Sequence, residues 1–322
     1  VRRASRSRPR MNGPRVVALG GGHGLAASLA ALRLVTDRVT AVVTVADDGG
    51  SSGRLRDEFN VLPPGDLRMA LAALCDDRPW GQIWRDVLQH RFGGDGPLGG
   101  HAMGNLLIVA LWDQLGDTVA GLDLVARLLD SRGRVLPMAG EPLEIEADVV
   151  GADPDRPDDV SVVCGQHRVA STRGRVSSIR LRPAHPQPCP EALAAIDDAD
   201  WVLLGPGSWF TSVLPHVLVP DVRDALVRTS GKRVLNLNLA VHQGETKGFR
   251  AVDHLTSLGR HAPELRLYVV LADPSVVDDA DEVAAVASGL GARLVTSPIA
   301  ATGRPGQHDA LRLAAAYRDL MG

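Results

Sequence analysis

The chain has 322 residues, 45% of them apolar and 23% charged, with a formal net charge of −3. That balance gives a globular chain with a sizeable core; it excludes a disordered protein, and its mixed charge excludes the basic face of a general nucleic-acid binder. No apolar run approaches the roughly 18 residues of a membrane span, and the scattered Cys75, Cys164 and Cys189 contain no CxxC pair, so a reducing cytoplasm is the expected compartment.

Val1–Asn12, with five arginines in its first ten residues, reads as a disordered basic tail ahead of a single Rossmann-like domain over 13–322. Arg15–Leu19 is a short buried strand, Leu25–Leu34 the helix after it, and Val39–Val45 a second, β-branched strand. The glycines between the first two interrupt what would otherwise resemble a secretory signal. Helical spacing then covers Asp66–Asp76, Ile83–His90, Met103–Leu115 and Val119–Asp130, with Asp66 placed to cap the first of these after Pro63-Pro64. Over about 141–190 the pattern changes to the strand-like runs Leu143–Val150, Ser161–Val169 and Val176–Leu181, an antiparallel β excursion closed by the prolines of Pro183–Pro190. Trp201–Leu204, Arg233–Leu239, Leu265–Ala272 and Arg293–Ser297 then alternate as strands with helices. The expected fold is α/β: a Rossmann-like, mostly parallel sheet with helices on both faces, plus the small antiparallel excursion.

Ligands of such sheets sit beyond the carboxyl ends of the strands. Three glycine- and serine-rich segments follow strands here. The first, Gly20, Gly21, Gly22, His23 and Gly24, lets backbone N–H groups approach a phosphate at a helix start, and it satisfies a relaxed dinucleotide fingerprint. The second runs from Asp47 and Asp48 through Gly49, Ser51, Ser52 and Gly53 to Arg54. Its hydroxyls, amides and arginine suit another anionic group, and its two aspartates suit Mg²⁺ held through phosphate oxygens. The third places Gly205, Gly207, Ser208, Thr211 and Ser212 after the apolar strand Trp201–Leu204. All three converge on one cleft if their strands are neighbours. Asp66 and Arg68 stand near a helix start where they either reach that cleft or only cap the helix, and Asn105 is a candidate for reading a base or sugar. His101 reads as a loop histidine rather than a catalyst. Glu245, in Gln243–Gly248, is placed to bind a sugar hydroxyl or to sit in solvent. Walker-type NTPase chemistry is excluded by the missing P-loop lysine.

The segments ALGGGHGL (Ala18–Leu25), VTVADDGGSSGRLR (Val43–Arg56), LPPGDLRMAL (Leu62–Leu71), GHAMGNLL (Gly100–Leu107) and LGPGSWFTSVLPHVLVP (Leu204–Pro220) together resemble the YvcK family of gluconeogenesis factors, related to 2-phospho-L-lactate transferase; QGETKGF (Gln243–Phe249) joins them more weakly. The resemblance implies a Rossmann-like core that binds a UDP-sugar, notably UDP-N-acetylglucosamine, and a link to cell shape, peptidoglycan synthesis and growth on gluconeogenic carbon. It places Gly20–Gly24, Asp47–Arg54, Asn105 and Gly205–Ser212 around the nucleotide sugar, with no catalytic residue and no firm cofactor, and a homodimer by analogy. Gln307-His-Asp-Ala310 departs from the Arg-His-Asp pattern of that family.

Three functions follow, in order: a UDP-sugar-binding regulatory protein, a Mg²⁺-dependent transferase acting on a nucleotide-linked phospho-substrate with Asp47 or Asp48 on the metal, and an NAD-dependent oxidoreductase. The last leaves the second Gly/Ser segment unexplained.

Overall fold

A computed structural model describes residues 13–153, 155–239 and 245–322; the expected basic tail and Gln243–Gly244 lie outside them. The chain runs β1 (Val16–Gly20), α1 (Gly22–Leu32), β2 (Val39–Val43), α2 (Gly50–Phe59), α3 (Pro64–Ala73), α4 (Pro79–Gln89), α5 (Met103–Leu115), α6 (Thr118–Leu128) and β3 (Arg134–Pro137). The excursion follows as β4 (Glu144–Val150), β5 (Val160–Cys164), α7 (Gln166–Ala170) and β6 (Arg175–Arg182). The second half returns through α8 (Pro190–Asp197), β7 (Trp201–Leu204), α9 (Pro215–Leu218), α10 (Pro220–Arg228), β8 (Lys232–Asn236), α11 (Ala251–His261), β9 (Val269–Ala272), α12 (Ala280–Gly289), β10 (Arg293–Thr296) and α13 (Ala310–Met321).

Seven strands form one parallel sheet in the order β10-β9-β8-β7-β1-β2-β3. Its central strands are continuous apolar runs, buried throughout in β1 and β7, as a sheet covered on both sides requires. β1 pairs with β2 in the register Val16↔Val39 and with β7 in the register Val16↔Trp201. Strand order therefore reverses at β1: the chain builds outward through β2 on one side and through β7 to β10 on the other. With right-handed crossovers, that reversal puts α1 and the helices α10 to α12 on opposite faces. It also opens a crevice between the carboxyl ends of β1 and β7.

The excursion is a three-stranded antiparallel sheet, β5-β4-β6. Ile145, Ala147 and Val149 of β4 are buried on one face, the period-2 alternation of a half-covered strand. Its root is tied to the main sheet where Leu143 N–H donates to Val45 O at 3.1 Å. The small sheet is thereby held beside the carboxyl end of β2.

Three expectations need correction. The Gly49–Arg54 segment is not an open loop: α2 begins at Gly50, after the Asp47 carboxylate accepts the Gly49 N–H at 3.0 Å. Its Leu55 is buried, so tertiary packing overrides the poor helix propensity of glycine and serine. The strand expected over Ser161–Val169 stops at Cys164, where Gly165 turns the chain at φ 95° into the short helix α7. The strand expected over Leu265–Ala272 is confined to its last four residues.

Candidate functional site

A cleft of 510 Å³ occupies the crevice between β1 and β7. One wall is the backbone of Gly21–Gly24, the N-terminal turn of α1, which no side chain caps. The facing wall is Pro206, Gly207 and Ser208, after a cis Gly205–Pro206 peptide. These walls touch below the cleft: a Cβ on Gly24 would run into the carbonyl oxygen of Pro206 and come within 2.7 Å of Gly207 Cα. Since the obstacles are backbone atoms, only glycine permits this approach.

The Gly207 turn is pinned from both sides by one side chain. Asn238, two residues past β8, accepts the Gly207 N–H at 2.8 Å and donates to the Gly207 carbonyl at 2.7 Å. The chain then enters a π-helical turn, Trp209–Val213, in which Ser212 N–H bonds back to Ser208 O at 2.8 Å. Ser212 reaches the cleft, whereas Thr211 is fully buried and Gly205 sits against Asn236 O. Phe210 N–H donates to Glu245 at 3.2 Å. Burial pushes the Glu245 carboxyl up to about 7, so this residue supports the turn from beneath rather than standing in solvent.

Asp66, in the first turn of α3, lines the cleft floor beneath Gly21. Desolvation, and next the charge of Asp47, push its carboxyl up to about 7, while the Gly22 N–H and Arg68 act the other way. The carboxylates that feel each other are thus Asp47 and Asp66. Asp48 faces elsewhere, accepting the His167 N–H of α7 at 2.9 Å. Among the described residues, no cluster of three or more His, Cys, Asp or Glu is arranged to hold a metal ion.

Ser51, Arg68 and Asn105 form an interior lock rather than a wall. Asn105 accepts from Arg68 Nε at 2.9 Å and donates to Ser51 Oγ at 3.0 Å, and Ser51 also meets His101 Nδ1 at 3.0 Å. All four are 6% exposed or less. Ser52 is buried beside Gly65, and exposed Arg54 donates to Gly99 O at 2.8 Å. The lock ties α2, α3 and α5 together and so fixes where Asp66 stands.

Four cleft residues with polar side chains escaped the candidate set: Asn238, Gln166 of α7, Gln307 and His308. The last two arrive on a hairpin closed by Ala301 N–H to Gln307 O and Asp309 N–H to Ile299 O, at 2.8 and 2.9 Å. Asp273 anchors its root by accepting the Ile299 and Ala300 N–H groups at 2.8 and 2.9 Å. Burial lowers His308 to about 4, so at neutral pH it offers the cleft a neutral ring. The departure at Gln307 from the family's arginine was the one sequence signal pointing here.

An open parallel sheet with a glycine-walled cleft at its switch point defines a Rossmann-like α/β protein. Comparison with known proteins narrows this. The profile of the family described as 2-phospho-L-lactate transferase CofD matches residues 16–294. A Mycobacterium tuberculosis (strain ATCC 25618 / H37Rv) protein bearing a gluconeogenesis-factor name is 50% identical over 303 residues, 93% of this chain and 88% of its own. The gluconeogenesis factor of Bacillus subtilis (strain 168) is 38% identical over 248 residues, 77% of this chain and 75% of its own. A crystal structure of a UPF0052 family member from Bacillus halodurans superposes with a TM-score of 0.82 at 31% identity, covering 95% of this chain and 99% of that one. The chain belongs to the CofD family, in its gluconeogenesis-factor branch.

Proposed function

We propose that this protein is a UDP-sugar-binding regulatory protein, with UDP-N-acetylglucosamine as its ligand, that links carbon metabolism to peptidoglycan synthesis and cell shape. The observation that carries the reading is the cleft itself: an uncapped helix N-terminus facing a second glycine-serine turn across 510 Å³, within the range of small-ligand sites. In this reading the Gly22–Gly24 amides and the Gly207–Ser208 turn take the diphosphate. Asp66, Gln166, Asn238 and Gln307 are the polar groups available to ribose, uracil and sugar. Among the described residues the site offers hydrogen bonds and a helix dipole but no paired nucleophile and base, which favours recognition over turnover.

One observation favours the second reading, a Mg²⁺-dependent transferase. The charge of Asp47 acts on Asp66 at the cleft floor, and two carboxylates with substrate phosphates make an adequate Mg²⁺ site. Magnesium there would neutralise phosphate charge, and the pair that holds it would be Asp47 and Asp66 rather than Asp47 and Asp48.

Incubating the protein with UDP-N-acetylglucosamine, UDP-glucose, UDP, GDP and NAD, with and without Mg²⁺, separates these readings by melting shift and product analysis. A regulatory protein is stabilised by UDP-sugars and leaves them intact. At ligand about 100 times its dissociation constant the gain is about 2.7 kcal/mol. Consumption of a nucleotide donor that needs Mg²⁺ and is lost in Asp66→Asn establishes the transferase instead.

A further inference from the structure

A second cavity, of 380 Å³, shares His23 with the cleft but is walled by side chains: Arg68 of α3, Arg85 and Gln89 of α4, and Arg91 just beyond α4. Its deepest member is built in. Arg68 is 4% exposed. Its stem lies against Gly104, where a Cβ would come within 2.8 Å of Arg68 Cδ, so α5 can seat that stem only through a glycine. Its Nε is held by Asn105 at 2.9 Å, which leaves the outer guanidinium nitrogens for other partners. Arg91 is steadied by donating to Gly100 O at 2.9 Å.

The charges in this cavity do not balance internally. Burial, and after it the charge of Arg91, lower Arg68 to about 10, and the charges of Asp66 and Asp47 offset only part of that. Among the described residues no carboxylate forms an ion pair with Arg68 or Arg91, and Arg85 meets only its chain neighbour Asp86, at 3.5 Å. A buried arginine without a counter-charge is costly, and converging guanidinium groups match the geometry of phosphate oxygens. We propose that this cavity is a second ligand site, taking a small, multiply charged oxyanion of the phosphate or phosphate-monoester class. It lies outside the glycine-walled cleft and does not depend on the UDP-sugar reading.

The test is calorimetric titration of the full chain with inorganic phosphate and with pyrophosphate, at ionic strength held constant with chloride. Wild type, Arg85→Ala and Arg91→Ala are compared, each with and without saturating UDP-N-acetylglucosamine. Arg91 is exposed and Arg85 half-exposed, so both variants are expected to fold, which their melting curves verify. The expected result is one saturable anion per chain, weakened at least tenfold in each variant and retained beside the nucleotide sugar. No saturable binding in wild type, or equal affinity in all three proteins, overturns the proposal. Complete displacement by UDP-N-acetylglucosamine also overturns it, by making these arginines part of the cleft. Should the nucleotide sugar fail to bind at all, that reading falls alone, because the arginine variants still decide this one.

Discussion

The glycine-rich segments after β1 and β2 look alike in sequence and end in opposite surroundings. Gly21–Gly24 gives its backbone to an open cleft, with Gly20 ending β1, whereas Gly49–Gly53 curls into α2, with Ser51 and Ser52 buried. The difference lies in what each segment meets. The first faces the Pro206–Ser208 turn across a topological switch point, where no element of the described residues fills the space. The second leads into Leu55 and is clamped by Asn105 of α5 and by His101 just before it. Small residues permit close approach in both, in one case of the facing Pro206–Gly207 turn, in the other of packed helices.

That comparison can be broken by mutation. The largest effect is expected from Gly24→Ala, whose methyl group strikes backbone on the facing turn. Overpacking of this kind costs about 1–3 kcal/mol, and the melting temperature should fall while UDP-sugar affinity is lost. Asn105→Ala leaves the buried Arg68 Nε without its partner and takes one of the bonds from Ser51, so stability should drop by about 1–3 kcal/mol. If the second segment is packing rather than cleft, chemical denaturation will record that loss while nucleotide-sugar affinity stays within about twofold of wild type.

Asn238→Ala reverses the pattern. It removes both bonds that pin Gly207, and at about 1 kcal/mol for each hydrogen bond the UDP-sugar affinity should weaken about thirtyfold, with a smaller effect on melting. The smallest effect concerns pH. With its folded pKa raised to about 7, Asp66 contributes stability that is full below about pH 4, the ordinary carboxylate value, and is lost as pH rises through 7. Its ionisation also places a negative charge below the proposed diphosphate. Without Mg²⁺, affinity should decline about fivefold between pH 6 and 8, a repulsion of about 1 kcal/mol, and Asp66→Asn should flatten both profiles.

Much of this architecture was legible in the chain. Trp201–Leu204 appears as expected because a four-residue apolar run has one way to be buried in a parallel sheet, and the 141–190 excursion announced itself by losing its helices. The glycine walls of the cleft were legible as a close backbone approach, although the cluster after β2 shows that such glycines also serve helix packing. Strand order was not, because register between distant segments leaves no local trace. Helix α2 was hidden by its glycines and serines, and Asn105 looked like a ligand reader because burial cannot be seen in one sequence. Asn238, Gln307 and His308 reach the cleft only through β8 and a hairpin rooted at Asp273, which no spacing rule connects to Gly22.

The most direct measurement is calorimetric titration of wild type and Asn238→Ala with UDP-N-acetylglucosamine in the absence of metal. The account predicts saturable, one-to-one binding in wild type, absent with NAD and about thirtyfold weaker in the variant, as two lost hydrogen bonds of about 1 kcal/mol each require. No binding of UDP-N-acetylglucosamine by wild type, or equal affinity in the two proteins, would contradict the assignment of this cleft.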